Sequence, residues 1–257
     1  MTPPQSTLSM LKERLRTLVR QHPALRSPAL FFLDLVYHCR TLLSRLTRRA
    51  VINRYLETHQ QRGLHLGCGA NVIPEWLNTE LTVAHPGAVF LDATKPFPLP
   101  DCSLDYVFSE HMIEHVPHPQ GMHLLRESFR VLKPGAHIRI ATPDLRVILG
   151  LHSPEPNPEG AEYVQWFTGR HLHEFGGKGA AAVINCFFYS WGHRFIYDRA
   201  NLEASFREAG FEALEWCAVG ESSHQGLRNL EHHGDASGSA RWNIFETMIL
   251  EGRKPAK

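Results

Sequence analysis

The sequence predicts an α/β fold built on an open sheet, and three observations predict it. First, Gly63-Leu64-His65-Leu66 alternates like a short strand and runs directly into Gly67-Cys68-Gly69. Second, later apolar runs end in acids or polar residues: Trp76–Glu80, Ala88–Asp92, and Leu104–Phe108 followed by Ser109 and Glu110. Third, a helical pattern over 120–132 leads into the period-2 run Ala136–Ala141. A strand that ends in a glycine turn is where open α/β sheets bind nucleotide-like ligands.

The elements follow in order. Leu8, Leu11, Leu15, Leu18 and Val19 recur at helical spacing before Pro23 and Pro28 interrupt. A second helical pattern covers 29–59, with Leu30, Leu33, Val36, Tyr37, Leu42, Leu46 and Tyr55. After the Asp92 strand, Pro96, Pro98 and Pro100 stiffen a connection that cannot be helix interior. A short apolar turn runs from Ser109 to Val116. The 120–132 helix carries Leu124, Leu125, Phe129 and Leu132 on one face, and Lys133-Pro134-Gly135 turns the chain into the strand ending at Thr142-Pro143-Asp144. Residues 144–197 fit no ordinary crossover. Insertions of this length at a strand's carboxyl end are usually functional, and this one is read as a lid over the substrate. Asp198 caps a helix that stops at Gly210, and 211–219 and 243–250 read as a final antiparallel pair of strands.

Composition sets outer limits. The chain has 257 residues, 43% hydrophobic and 21% charged, as expected of a globular protein with a sizeable core. The net charge of +1 is unevenly spread. Residues 1–62 hold eleven Lys or Arg against Glu13, Asp34 and Glu57, giving 11 − 3 = +8 and leaving 1 − 8 = −7 for 63–257. The reading is a basic helical extension over 1–62, a domain over 63–257, and the lid within it. The extension either covers a sheet edge or lies peripherally on anionic membrane. Five cysteines without a Cys-x-x-Cys argue against a disulfide framework or zinc ribbon and place the protein in the cytoplasm. No apolar run is long enough to span a bilayer.

The glycine turn fits the dinucleotide fingerprint poorly, because Val72 stands where a third glycine would be, and no triphosphate-binding loop is present. Glycine turn, acid, acid and polar strand end form instead an arrangement for holding an adenosine. Further residues sharpen this: Asp92-Ala93, Pro98-Leu99-Pro100-Asp101, Ser103-Leu104-Asp105, Glu114-His115 and Val131-Leu132-Lys133-Pro134-Gly135. On these motifs, residues 63–142 resemble a class I S-adenosylmethionine-dependent methyltransferase of the type-11-like group. The short interval from Gly67 to Glu80, with Trp76-Leu77-Asn78 inside it, is similar to a shortened subset associated with cell-surface saccharide biosynthesis.

The resemblance implies a Rossmann-like seven-stranded sheet in the order 3-2-1-4-5-7-6. It also implies S-adenosylmethionine as cofactor and Gly67, Cys68, Gly69, Glu80, Asp92, Ala93, Ser109, Glu110 and His111 as its binding residues. Glu80 would take the ribose and Asp92 the adenine. The implied reaction is methyl transfer to a small-molecule or saccharide acceptor, most simply at a hydroxyl. Histidine is the usual base near neutrality, and among seventeen histidines the positions of His115 and His193 make them the catalytic candidates. His171-x-His173-Glu174 has the spacing of ligands on a strand or loop, but without a fixed motif it assigns no metal. Two other readings stand beside this one. A nucleic-acid methyltransferase would use the basic extension, but Ser109-Glu110-His111-Met112 replaces the Asn/Asp-Pro-Pro-aromatic signature of base methylases. A binding module without turnover would keep the fold alone.

Overall fold

The computed structural model describes residues 26–155, 157–171, 177–233 and 239–256. The helical pattern of 8–19, together with His173, Glu174 and Gly176, lies outside the described residues.

The first element is α1 (Arg26–Thr58), which carries Pro28 in its first turn, where no intrahelical N–H is needed. Its second half docks on the sheet. Ile52 and Tyr55 are buried, and Tyr55 Oη donates to the Gly63 carbonyl at 3.0 Å. Ser44 Oγ and Thr41 Oγ1 accept the N–H groups of Phe90 and Val83, at 2.8 and 2.9 Å. The extension therefore covers the edge that begins the sheet.

Five parallel strands follow: β1 (Gly63–Leu66), β2 (Leu77–Glu80), β3 (Val89–Phe90), β4 (Leu104–Glu110) and β5 (Leu132–Pro143). With β6 (Glu212–Cys217) and β7 (Thr247–Arg253) they form one sheet in the order β3-β2-β1-β4-β5-β7-β6, in which β7 runs antiparallel to both neighbours. All four residues of β1 are buried, as a strand covered on both faces requires. The helix α2 (His118–Val131) lays Leu124, Leu125 and Val131 on the sheet. Arg130 then pins the proline-stiffened connection, donating to the carbonyls of Leu99 and Phe97.

Among its described residues the insertion holds three helices, α3 (Leu145–Gly150), α4 (Pro158–Arg170) and α5 (Gly179–Tyr189). They share a core of their own, including Ile148, Tyr163, Phe167, Val183 and Phe187. The two ends of the insertion meet: Leu145 donates its N–H to the Tyr197 carbonyl at 2.9 Å. The Asp198 carboxylate then caps α6 (Arg199–Glu208) by accepting from the Asn201 N–H at 2.7 Å.

Two local expectations are corrected. Residues 243–246 belong to a helix, α7 (Ala240–Glu246), and the last strand starts only at Thr247. Trp242 of α7 is buried in the lid core, which fixes the helix there. Lys133-Pro134-Gly135 does not end an element. It lies inside β5 as an irregularity where the register against β4 jumps, and Gly135 supplies the positive φ of 81°. Within β5, Arg139 is fully buried and paired with Glu231 and Glu251. Among the described residues no helix is long and apolar enough to cross a membrane.

Candidate active site

The carboxyl ends of β1, β2, β3 and β4 surround a cavity of about 570 Å³. Gly67 and Gly69 turn the chain after β1 with φ of 68° and 52°, values that side chains oppose. The turn is tied to β2 twice. Cys68 donates its N–H to the Thr79 carbonyl at 3.0 Å, and Gly69 donates to Glu80 Oε2 at 2.8 Å. Glu80 Oε1 accepts from the Leu81 N–H at 2.8 Å, so the carboxylate is held at the rim by backbone alone. Asp92 Oδ1 accepts from the N–H and hydroxyl of Thr94, at 3.0 and 2.6 Å, which fixes that acid on the same wall. Burial, with Glu80 nearby, pushes the Cys68 thiol up to about 12, so the sulfur is no nucleophile.

Of the predicted cofactor residues, Gly67, Cys68, Gly69, Glu80, Asp92, Ala93, Glu110 and His111 line this cavity. Ser109 stands apart. It is fully buried at the centre of the sheet, between Leu66 and Ile140, and its hydroxyl has no hydrogen-bond partner among the described residues. The Glu110 carboxylate is engaged in holding a loop: it accepts the N–H groups of His232 and His233 at about 3.0 Å and Asn243 Nδ2 at 3.3 Å. Burial raises its pKa, and those hydrogen bonds oppose the rise.

A second cavity of about 420 Å³ lies between the sheet and the insertion. Its walls include the rings of Trp166, Phe167, Phe187, Trp191 and Trp242. His111, His115 and His233 line both cavities.

The polar groups at this junction form a connected set. His111 takes a positive φ of 47°, and its Nε2 lies 3.0 Å from Asn243 Oδ1 and 2.9 Å from Thr247 Oγ1. Burial alone would lower its pKa, but Glu114, Glu246 and Glu110 outweigh it and hold the ring's pKa at about 9. Glu114 is fully buried, and burial would raise its pKa, but His111 and His115 draw it below the ordinary carboxylate value. Its Oε1 lies 3.4 Å from His111 Nδ1, and its Oε2 accepts from the Thr142 hydroxyl at 3.0 Å. The Glu114 carbonyl accepts the N–H groups of Arg194 and Phe195, at 2.7 and 3.1 Å, which stitches the returning insertion to the turn after β4. The rings of His115 and His193 consequently stand 4.8 Å apart, edge to face. His193 Nδ1 donates to the Phe187 carbonyl at 2.7 Å. Burial lowers the His193 pKa, keeping the ring neutral with Nε2 unprotonated.

Sequence reasoning missed Thr94, His233, Asn243 and Glu246. The last two lie on α7, which reads as strand. Glu246 accepts from the Tyr163 hydroxyl, and burial raises its pKa.

The first cavity suits a nucleoside-bearing cofactor. At Gly69 a Cβ would meet no protein atom within 4 Å, so the backbone there is left open for a ligand, and two fixed carboxylates share the wall. Its volume falls in the range of small-molecule sites, about 300–1,000 Å³.

Among curated proteins, the chain is 31% identical over 140 residues to a demethylmenaquinone methyltransferase of Listeria monocytogenes, covering 53% of this chain and 51% of the relative. A Listeria innocua protein of the same name matches equally. The chain thus spans about half the length of the curated relatives it matches. A solved S-adenosylmethionine-dependent methyltransferase from Archaeoglobus fulgidus is 16% identical, with a TM-score of 0.47, covering 88% of this chain and 99% of that one. A family model described as a methyltransferase domain matches residues 38–215, well over half of the chain. The chain therefore belongs to the methyltransferase domain family, whose cofactor is S-adenosylmethionine.

Proposed function

We propose that the protein transfers a methyl group from S-adenosylmethionine in the first cavity to a hydroxyl of a small-molecule or saccharide acceptor in the second. The observation that carries this reading is the shared wall: His111, His115 and His233 face both cavities. When bound, the cofactor supplies an electrophilic methyl group on a sulfonium. The chain's part is to align the acceptor oxygen, exclude water and take up a proton. Glu80 receives the ribose hydroxyls, Asp92 and Ala93 the adenine edge, and the backbone of Gly67–Gly69 the amino-acid end. Glu110 and His111 shape the floor beneath. His115 and His193 activate the acceptor hydroxyl.

Aromatic walls favour an acceptor with a ring, stacked on the indoles and phenyls. The Listeria relatives are named for a small-molecule acceptor, which supports that class. Five free thiols accord with a reducing, cytoplasmic setting. The test is methyl-labelled cofactor with a panel of hydroxylated rings and saccharides, nucleic acid included. Label on a ring hydroxyl upholds the reading. Label on nucleic acid favours that alternative, and cofactor binding without transfer to any acceptor favours a binding module.

We also infer that α1 rests on anionic membrane. Phe32, Leu35, Leu42 and Leu46 repeat at helical spacing and are 48–76% exposed, forming an outward apolar stripe. The helix carries Arg26, Arg40, Arg45, Arg48, Arg49 and Arg54 against Asp34 and Glu57. Apolar stripe plus basic charge is the composition of an interfacial helix. Sedimentation with anionic vesicles, lost in Leu42→Glu/Leu46→Glu and absent with neutral vesicles, is the expected result. Equal sedimentation of both proteins would contradict it.

A further inference from the structure

We propose that Glu114, His115 and His193 bind a divalent transition-metal cation, through which the two histidines act on the acceptor. The inference rests on the reading that the second cavity holds the acceptor, since all three residues line that cavity.

One ligand atom from each of the three lies within 4.8 Å of the others. Nitrogen and oxygen donors at about 2.1 Å from an ion stand roughly 3–3.5 Å apart in tetrahedral or facial arrangements. Closing the cluster on an ion brings the widest pair together by about 1.3–1.8 Å, a movement shared between two side chains. The backbone is already in place, because the Glu114 carbonyl accepts the N–H groups of Arg194 and Phe195 beside His193.

The outer contacts are those of metal ligands. A ligating histidine generally donates its other ring N–H to a carbonyl or carboxylate, which aims the free nitrogen at the ion. His193 does this through Nδ1 to the Phe187 carbonyl, leaving Nε2 with its lone pair. Thr142 donates to Glu114 Oε2 and orients that carboxylate. Glu114 Oε1, on a side chain with 0% exposure, makes no hydrogen bond among the described residues; its nearest positive group is His111 Nδ1 at 3.4 Å. That oxygen therefore still has a lone pair free toward the cavity.

Two imidazoles and one carboxylate select zinc, cobalt, iron(II) or manganese over magnesium and calcium, which prefer all-oxygen shells. Three protein ligands leave positions open, and His115 also lines the cofactor cavity. An acceptor hydroxyl in an open position would ionise near neutrality. Its O–H bond breaks, the proton leaves to solvent and the electron pair stays on the metal-bound oxygen. The third ligand and the ion itself are the new elements beyond the two histidines.

The test titrates chelator-stripped full-length protein with cobalt(II), read by its visible absorption, and with zinc(II) in competition. One equivalent should bind. His115→Gln and His193→Gln should each weaken binding at least tenfold, with the far-ultraviolet circular dichroism unchanged, whereas His152→Ala in the exposed loop after α3 should bind like the parent. Absence of binding, or unchanged affinity in both histidine variants, overturns the site. Full-rate methyl transfer by metal-free protein also overturns it while leaving the acceptor reading intact. Normal metal binding with no change in acceptor KM on Trp191→Ala would uphold the metal site while removing the acceptor from this cavity.

Discussion

His193 donates its Nδ1–H to the carbonyl of Phe187 at 2.7 Å. A carbonyl only accepts, so this bond fixes the tautomer and leaves Nε2 basic beside His115. The contact joins the last turn of α5 to the segment that follows it, and the neighbouring Arg194 and Phe195 N–H groups fasten that segment to the Glu114 carbonyl in the turn after β4.

His193→Ala should therefore lower turnover by about 10²–10⁴-fold. Affinity for S-adenosylhomocysteine should stay within about twofold, because His193 does not line the cofactor cavity. Steady-state kinetics beside calorimetry checks both. Turnover at the parent rate would remove His193 from the reaction.

The cofactor wall makes a separate prediction. Asp92→Ala should weaken cofactor binding by about 1–3 kcal/mol, the usual effect of removing one partner of a buried polar contact. Glu80→Ala should weaken binding comparably and also loosen the glycine turn, since Gly69 loses its acceptor. Calorimetric affinities equal to the parent's would move the nucleoside elsewhere.

Much of this wall was legible in the sequence because it is local. Gly67, Glu80 and Asp92 are set by the ends of consecutive short strands, and each closes or follows a short strand-like run in the sequence. The remainder depends on distance along the chain. Arg139 looks like a polar strand residue until Glu231 and Glu251, 92 and 112 positions away, are folded against it. Asn243 and Glu246 were hidden because their segment runs without a break into the apolar β7. In the fold the segment is a helix whose Trp242 packs into the lid core, a contact made with residues far away in the chain. The role of Glu110 shows the same limit: its place at the strand end is readable, but its backbone partners His232 and His233 are not.

The buried Arg139 cluster is a stability prediction. Arg139 also donates to the carbonyls of Glu221 and Ala218, fastening the loop that delivers His232 and His233 to Glu110. Arg139→Ala leaves two buried carboxylates without their cation and should destabilise the fold by about 3–5 kcal/mol. Urea denaturation measures it, and a loss below about 1 kcal/mol would contradict the buried pairing.

Acid should weaken the fold through His65. Burial lowers its pKa from 6.5 to about 4, against a hydrogen bond to Asn78 that favours the charged form. A depressed folded-state pKa means the unfolded chain binds the proton first. The contribution is full above about 6.5 and falls as pH drops toward about 4, reaching about 3 kcal/mol in total. Denaturation curves of the parent should shift across that window, and His65→Gln should flatten the dependence. Equal slopes in both proteins would show that His65 is not the group responsible.

The central claim is that the acceptor occupies the aromatic cavity that shares a wall with the cofactor site. It is tested most directly by following methyl transfer from labelled S-adenosylmethionine to the hydroxylated-ring panel in the parent and in Trp191→Ala, whose ring lines only that second cavity. The prediction is label on a ring hydroxyl, with acceptor KM raised about tenfold or more in the variant, as expected for a loss of roughly 1.4 kcal/mol of binding, and cofactor affinity unchanged. Transfer with an unaltered acceptor KM in Trp191→Ala would contradict it.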